Sequence, residues 1–294
     1  NGNGHTGGST AAMICTYDVA SNLTANGFTK TGYHFLGWNT KADGTGTTYT
    51  NQQSVLNLSS TNGASITLYA QWETNAYSIG FDGNGHTGGS TSGMTMRFDE
   101  SKALTANGYI RTGYTFRNWN TNANGTGTSY SNRQTVRNLT STNGGTVTLY
   151  AQWNPITYKI VFNGNGHTGG STSEMAMTYD VAANLTENGF RKTGYVFLGW
   201  NTEADGSGTR YTNRQSVINL TSTEGAVINL YAQWRPITYT IRFNGNGHTR
   251  GTMAAMEMEY NQSKNLLPNA FTRTSYNFLG WNTRADGSGT SYAD

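Results

Sequence analysis

Residues 147–162 read VTLYAQWNPITYKIVF, two stretches of alternating apolar and polar residues on either side of a proline. In the first stretch Val147, Leu149 and Trp153 fall on one side, and the second is rich in β-forming residues. A period of two is typical of half-buried β-strands. Pro155 restricts φ and favours extended backbone, so the linker between the strands is short and stiff. The stretch therefore predicts two strands of a mainly β protein.

The same pattern returns every 81 residues along the 294-residue chain. The period is shared by Trp72, Trp153 and Trp234, by Trp38, Trp119, Trp200 and Trp281, and by His5, His86, His167 and His248. It predicts tandem modules in an elongated array: residues 1–73 (repeat 1, first strand missing), 74–154 (repeat 2), 155–235 (repeat 3) and 236–294 (repeat 4, C-terminal part missing). Because both outer repeats are partial, we interpret the chain as a window on a longer array.

Repeat 2 shows the elements expected of one module. AYSIGFD, MTMRF, YTFRNWNT and VTLYAQW are predicted strands, NANGTG is a glycine turn, and residues 102–107 are expected to form one helical turn. Large aromatic side chains compensate for the small size of the module, so all seven tryptophans named above are predicted core residues. Cys15 takes the place that Met96 has in repeat 2, and we expect it to be a small buried hydrophobe on the inward face.

Two longer motifs carry a family resemblance. GYxFLGWNTxADGSGTxY, followed by NLTxxxGxxxxLYAQW, resembles the Listeria–Bacteroides repeat, also called the internalin B-repeat type, and the resemblance covers every copy. It implies a small β-grasp-like module that occurs in tandem on bacterial surface and secreted proteins. Such proteins often act in adhesion, with the repeats as the stalk.

Composition excludes several classes of protein. Charged residues make up 12 % of the chain, where about 25 % is usual, and the formal net charge is +3. This surface gives no reason to expect a nucleic-acid partner or a membrane contact within the segment. Cys15 is the only cysteine, which excludes an internal disulfide framework and a cysteine-rich metal site.

The glycine-rich stretch GNGHTGGST (residues 2–10) fits the spacing of a dinucleotide-binding loop, G-x-G-x-x-G. A nucleotide loop must lead into a helix, but a strand pattern follows here, and Arg250 replaces the third glycine in repeat 4. We therefore interpret the stretch as a connection between two strands, and we predict no cofactor.

The recurring polar residues are the candidates for metal binding and catalysis. His5, His86, His167 and His248 are the candidate metal ligands, against a default interpretation as hydrogen-bonded loop residues, because no second histidine recurs within a repeat. The ADGSG loops offer calcium a single carboxylate each, which favours a turn. No carboxylate pair recurs in all copies, so we predict that the protein is not an enzyme.

These observations lead to two hypotheses about function. The first is a structural stalk or fibre-forming segment of an extracellular surface protein, whose partners are neighbouring repeats and identical chains. The second is a multivalent adhesin module that binds a glycan or a host protein. The recurring aromatic residues occupy core-like positions, which favours the first hypothesis.

Overall fold

The computed structural model describes all 294 residues and contains strands but no helix. Residues 1–75 contain β1 (Gly7–Gly8), β2 (Ser21–Asn22), β3 (Phe28–Thr29), β4 (Tyr33–Asn39), β5 (Thr48–Tyr49), β6 (Ser54–Val55) and β7 (Tyr69–Thr74). Residues 76–155 contain β8 (Ala76–Asp82), β9 (Gly88–Gly89), β10 (Met94–Arg97), β11 (Ser101–Ala103), β12 (Tyr109–Ile110), β13 (Tyr114–Asn120), β14 (Ser129–Tyr130), β15 (Thr135–Arg137) and β16 (Thr146–Pro155).

The second half repeats this series. Residues 156–236 contain β17 (Thr157–Asn163), β18 (Gly169–Gly170), β19 (Met175–Thr178), β20 (Ala183–Asn184), β21 (Phe190–Arg191), β22 (Tyr195–Asn201), β23 (Arg210–Tyr211), β24 (Ser216–Val217) and β25 (Val227–Pro236). The remainder contains β26 (Thr238–Ile241), β27 (Met256–Glu259), β28 (Trp281–Asn282) and β29 (Ser291–Tyr292). The mainly β tandem-repeat prediction is confirmed.

Repeats 2 and 3 each build a five-stranded mixed sheet. The order in repeat 2 is β10-β8-β16-β13-β14, and repeat 3 has the order β19-β17-β25-β22-β23. The first strand of each repeat runs parallel to the last, so Ile79 lies opposite Val147 and Phe81 lies opposite Leu149. A parallel pair needs a long crossover connection, and here the rest of the repeat provides it. The first and last strands therefore close each of these repeats on itself.

The core lies on one face of each five-stranded sheet. In repeat 2 it contains Tyr77, Ile79, Met96, Trp119 and Leu149, all at most 1 % exposed. Alternate residues of β8 and β16 point to the same face, which is why the period of two in the sequence becomes one apolar layer. The corresponding core of repeat 3 contains Tyr158, Ile160, Met177, Trp200 and Leu230.

Repeats 1 and 4 have smaller sheets. Repeat 1 has three strands in the order β5-β4-β7, and repeat 4 has only the two-stranded pairs β26-β27 and β28-β29. In repeat 4, Met258 is the only buried hydrophobic residue. By contact density the chain divides into two compact units, residues 1–155 and 156–294.

Two expectations about local structure are wrong. Residues 101–103 form β11, which pairs with β15, so the helical turn at 102–107 is absent. Cys15 is exposed rather than buried. Its counterpart Met96 lies in β10 and pairs with β8, but no strand of this chain pairs with residues 11–16. Cys15 therefore has no strand beside it, although Met13 on the same face packs against the core of repeat 1. The β-grasp description is not confirmed.

Candidate functional site

The tryptophans fall into two groups that differ in burial. Trp38, Trp119 and Trp200 are at most 4 % exposed, whereas Trp72, Trp153, Trp234 and Trp281 are half-buried. Trp119 contacts the rings of Phe81, Tyr109 and Phe116 at centroid distances of 4.7, 6.3 and 5.1 Å. Tilted and edge-on aromatic pairs of this kind add to the energy of simple burial.

The glycine-rich loop is tied to the sheet through the second tryptophan. Trp153 Nε1 donates a hydrogen bond of 2.9 Å to the Gly83 carbonyl oxygen, and Trp72 and Trp234 make the same bond to Gly2 and Gly164. Asn84 donates from Nδ2 to the carbonyl oxygens of Ala123 and Ala151, both at 2.8 Å. The loop therefore connects two strands, and β10 follows it where a nucleotide site requires a helix.

The recurring histidines lie on aromatic rings. The rings of His5, His86, His167 and His248 are 4.6–4.7 Å from those of Phe28, Tyr109, Phe190 and Phe271, and all four histidines are exposed. No group of three or more His, Cys, Asp or Glu side chains in the structure has the arrangement of a metal site. The structure thus gives each histidine a packing contact with one aromatic ring, and it does not bring a set of metal ligands together around any of them.

A buried asparagine organises the ADGSG-type loop. Asn120 donates from Nδ2 to Gly125 O, Gly127 O and Ser129 Oγ at 3.0–3.2 Å. Its Oδ1 accepts hydrogen bonds from the backbone N–H groups of Asn122 and Gly127. Asn39, Asn201 and Asn282 make the corresponding bonds in the other repeats. The loop thus satisfies its polar groups internally, as a turn does.

The most distinctive polar cluster lies where repeat 1 meets repeat 2. Asn75, in the linker, is 7 % exposed and donates its backbone N–H to the Gly32 carbonyl oxygen at 2.8 Å. Phe98 in turn donates its N–H to the Asn75 carbonyl oxygen at 2.8 Å. The Phe98 ring covers Gly32, where a Cβ atom would collide with the ring carbons. We call this contact the repeat junction.

Side chains extend the repeat junction on both sides. Tyr33 packs edge-on against Phe98 at 6.1 Å and donates its hydroxyl hydrogen to Asp99 Oδ2 at 2.9 Å. Lys30 Nζ lies 4.3 Å from the centre of the Tyr33 ring, a cation–π contact. Arg137 bonds the other oxygen of Asp99 at 2.8 Å.

Hydrogen bonds at Asp99 shift two pKa values in opposite directions. The hydrogen bond from Asn138 is the largest cause that holds the pKa of Asp99 below its usual value, and the bond from Tyr33 is the second. Arg137 acts in the same direction. The bond to Asp99 raises the pKa of Tyr33. Both shifts favour the observed pair of a neutral phenol and a charged carboxylate.

The same junction recurs between repeats 3 and 4. Ile237 donates its N–H to Gly194 O at 2.9 Å, and Tyr260 donates its N–H to Ile237 O at 2.9 Å. The Tyr260 ring covers Gly194 and packs against Tyr195 at 5.9 Å. Asn261 stands at the position of Asp99, so this junction has the backbone chain without the carboxylate. Sequence reasoning missed these residues, although the recurring Gly-Tyr pair marks their position.

Comparison with known proteins identifies the repeat. A family model described as the Listeria-Bacteroides repeat domain matches residues 1–71, 77–152, 158–233 and 239–294. The chain belongs to the Listeria-Bacteroides repeat family. The repeat of this family is a non-catalytic structural domain. No solved structure matches the chain.

Two curated relatives of this Listeria-Bacteroides repeat chain come from Evansella cellulosilytica. One, named "Putative Gly-rich membrane protein", is 34 % identical over 260 residues, which are 86 % of this chain and 27 % of the relative. The other, named "Putative membrane protein", is 30 % identical over 238 residues, which are 77 % of this chain and 32 % of the relative. The chain thus spans a third or less of the proteins that it matches. None of its own residues forms a helix long and apolar enough to cross a membrane.

Proposed function

We propose that the chain is a non-enzymatic spacer segment of a bacterial cell-surface protein, in which the repeat junction limits the motion of successive modules. The observation that carries the proposal is the backbone chain from Gly32 through Asn75 to Phe98, repeated through Gly194, Ile237 and Tyr260. Relatives with membrane-protein names and the family's structural repeat support the placement at the surface. The alternative, a module that binds a glycan or a host protein, stays a prediction.

The hydrogen bonds of the repeat junction support the proposal that the motion of successive modules is limited. A flexible linker leaves its backbone groups to water, whereas Asn75 buries its side chain and uses its Nδ2 to donate to Ser141 O at 2.8 Å. A linker residue bonded to both flanking repeats must break several hydrogen bonds before the modules reorient. Each such bond contributes roughly 0.5–1.5 kcal/mol net.

Two glycines allow a matched test of this role. Gly32 and Gly63 have nearly the same φ, 76° and 75°, so alanine carries the same backbone strain at either position. A Cβ atom on Gly32 would collide with the Phe98 ring, whereas one on Gly63 would meet nothing within 4 Å. The difference between Gly32→Ala and Gly63→Ala therefore isolates the junction contact.

Hydrogen exchange at two amides is the measurement. We expect the N–H groups of Asn75 and Phe98 to exchange about tenfold faster or more in Gly32→Ala, because local opening controls their exposure. The same amides should keep their native rates in Gly63→Ala. If both amides exchange at unfolded-chain rates in the unsubstituted protein, the junction is a free hinge and the proposal is wrong. Labelling of intact cells with an antibody to the repeat tests the surface placement.

A further inference from the structure

Repeat 2 has an open cleft of about 330 Å³ where Tyr150 meets the loop that follows β13. Its walls are Thr121, Asn122, Ala123, Asn124 and Tyr150, and we call it the outer cleft. Tyr150 is half-buried and lies on the face of the sheet opposite the core, because its neighbours Leu149 and Ala151 are 0 % exposed and face the core. The volume is at the lower end of the range for small-molecule sites in proteins, roughly 300–1,000 Å³.

A glycine in the adjacent strand leaves open space beside Tyr150. In the parallel ladder of β8 and β16, Gly80 lies opposite Thr148 and Asp82 lies opposite Tyr150, without a bulge. A Cβ atom on Gly80 would meet no atom within 4 Å, and the φ of Gly80 is not positive, so neither packing nor backbone conformation requires glycine here. Glycine inside a strand weakens the strand, and it often marks a place where a ligand approaches closely.

Three polar groups at the outer cleft have no hydrogen-bond partner within the protein. Asn124 Oδ1 accepts hydrogen bonds from the N–H and the hydroxyl of Thr126 at 3.1 and 2.7 Å, which leaves both hydrogens of its Nδ2 free. Asn122 Nδ2 donates to Thr126 Oγ1 at 3.2 Å, which leaves its Oδ1 free. The third group is the Tyr150 hydroxyl. The outer cleft therefore offers a donor, an acceptor and a hydroxyl that can act as either.

The charges around the outer cleft determine which ligand fits it. No lysine or arginine lines the cleft, and Asp82 brings a carboxylate to the same face of the sheet as Tyr150. Asp82 Oδ1 accepts the Asn84 N–H at 2.7 Å, which leaves Oδ2 free. An anionic ligand would face this carboxylate without a balancing cation. A neutral sugar fits, because its hydroxyl groups donate to carboxylate and amide oxygens while its C–H face packs on an aromatic ring.

The other copies keep the aromatic ring and change its surroundings. Tyr69 and Tyr231 are the counterparts of Tyr150. The remaining positions differ in every copy that contains them: Val161 and Arg242 for Gly80, Asn1, Asn163 and Asn244 for Asp82, Lys41, Glu203 and Arg284 for Asn122, and Asp43, Asp205 and Asp286 for Asn124. Repeat 2 thus replaces the charged loop residues with amides and opens the space beside the ring. These differences assign the site to repeat 2 alone.

We propose that the outer cleft binds a neutral hexopyranose sugar. One face of the sugar ring lies on the Tyr150 ring and extends over Gly80, and its hydroxyl groups bond to Asn122, Asn124 and Asp82. A monosaccharide in an open cleft has few atoms in contact, so the expected dissociation constant is on the order of 1–10 mM. The inference goes beyond the spacer role, which does not require this cleft.

Titration of free sugars into the 294-residue chain tests the proposal. The probes are glucose, galactose, mannose, N-acetylglucosamine and N-acetylgalactosamine, each added to about 50 mM, well above the expected dissociation constant. The readout is the NMR signals of the side-chain amides of Asn122 and Asn124. We expect at least one sugar to shift both signals in a saturable way. If none of these sugars shifts them, the proposal is wrong.

Two glycines give a matched pair of variants. Gly80 and Gly88 both lie in strands of repeat 2, neither has a positive φ, and a Cβ atom on either would meet no atom within 4 Å. Gly80→Val fills the space beside Tyr150 with the residue that repeat 3 has there, so it should abolish the shifts and keep the fold. Gly88→Val, in a strand outside this sheet, should preserve them. Equal binding by the two variants would show that the sugar lies elsewhere.

Asn124→Asp tests the contact between the sugar and the loop. The substitution removes the free Nδ2 donor, whereas the turn itself is kept, since Asp43 and Asp205 accept the corresponding hydrogen bonds in repeats 1 and 3. We expect the affinity for the sugar to fall about tenfold, the effect of one lost hydrogen bond. Unchanged affinity would contradict the assigned arrangement, and hydrogen exchange in β16 checks that repeat 2 remains folded.

Discussion

Asn120 illustrates how much of this fold depends on single amides. The side chain is 1 % exposed and uses three donor and two acceptor contacts within one loop. Asparagine is suited to this position because its Nδ2 faces two carbonyl oxygens while its Oδ1 faces two backbone N–H groups. The same pattern recurs at Asn39, Asn201 and Asn282 and is invisible in a hydropathy profile.

We predict that Asn120→Asp destabilises repeat 2 by about 3 kcal/mol or more at neutral pH, because a buried carboxylate would face carbonyl oxygens without donors. Denaturation, with hydrogen exchange in β16 to locate the effect, measures the loss. Asn124→Asp is the matched control in the same loop and should be close to neutral, since Asp43 and Asp205 hold this turn in repeats 1 and 3. Comparable losses in both variants would show that charge in the loop, rather than the buried amide, is responsible.

The alternation of apolar and polar residues predicted the burial of some side chains correctly and of others wrongly. The period-two pattern placed Met96 on the inward face correctly, because β10 has β8 beside it. The same pattern misplaced Cys15, because a face is buried only when a partner strand covers it, and local sequence does not contain that information. The buried Asn75 was also unpredictable, since its partners lie in both flanking repeats.

At the scale of elements, local patterning predicted where the strands lie but not how they pair. The strand positions, the glycine loop and the 81-residue spacing followed from periodicity, because they depend on local patterning. The parallel pairing of β8 with β16 did not, because it joins residues nearly seventy positions apart through a crossover that no local signal marks. The absence of a helical turn at residues 102–107 has the same origin, since pairing with β15 overrides local preference.

The two junctions should differ in their response to acid. The pKa of Asp99 in the folded protein lies below its usual value. The stabilisation that Asp99 gives the first junction is therefore complete above the unfolded-state pKa of about 3.9, and it is lost as the pH falls through the folded-state pKa. We expect the Asn75 and Phe98 amides to lose protection in that window, relative to Ile237 and Tyr260 at the same pH. Asn261 replaces the carboxylate at the second junction, which makes it an internal control.

Asp99→Asn separates this carboxylate from its neighbours. His34 and Arg97 both lie 3.3 Å from Glu73, so a second carboxylate lies beside the first junction. Protection in Asp99→Asn should become insensitive to acid if Asp99 is the responsible group. Acid opening that is unchanged in this variant would show that Asp99 is not the responsible group.

At the scale of the whole molecule, stability should follow how completely each repeat closes its own sheet. Repeats 2 and 3 have five-stranded sheets with separate cores, repeat 1 has three strands around Trp38, and repeat 4 has two isolated pairs. In tandem arrays the stability is approximately the sum of the intrinsic stability of each repeat and the interface free energies between neighbouring repeats. A module with one buried hydrophobic residue therefore depends on its neighbour.

We predict that limited proteolysis cuts first within residues 260–294, next within residues 10–17, and last within the sheets of repeats 2 and 3. Cleavage of the folded chain follows local opening, which is frequent where few apolar contacts hold the backbone. Mass spectrometry of the early fragments gives the order.

The control is a substitution in another repeat, Trp200→Ala, which removes a side chain that is 1 % exposed. It should lower the free energy of unfolding of repeat 3 by about 3–5 kcal/mol. In that variant early cuts should appear between residues 156 and 236 while the sheet of repeat 2 stays intact, because its core contains only its own residues. Simultaneous loss of both sheets would mean that the repeats unfold as one cooperative body, and the description of the chain as a series of self-contained modules would fail.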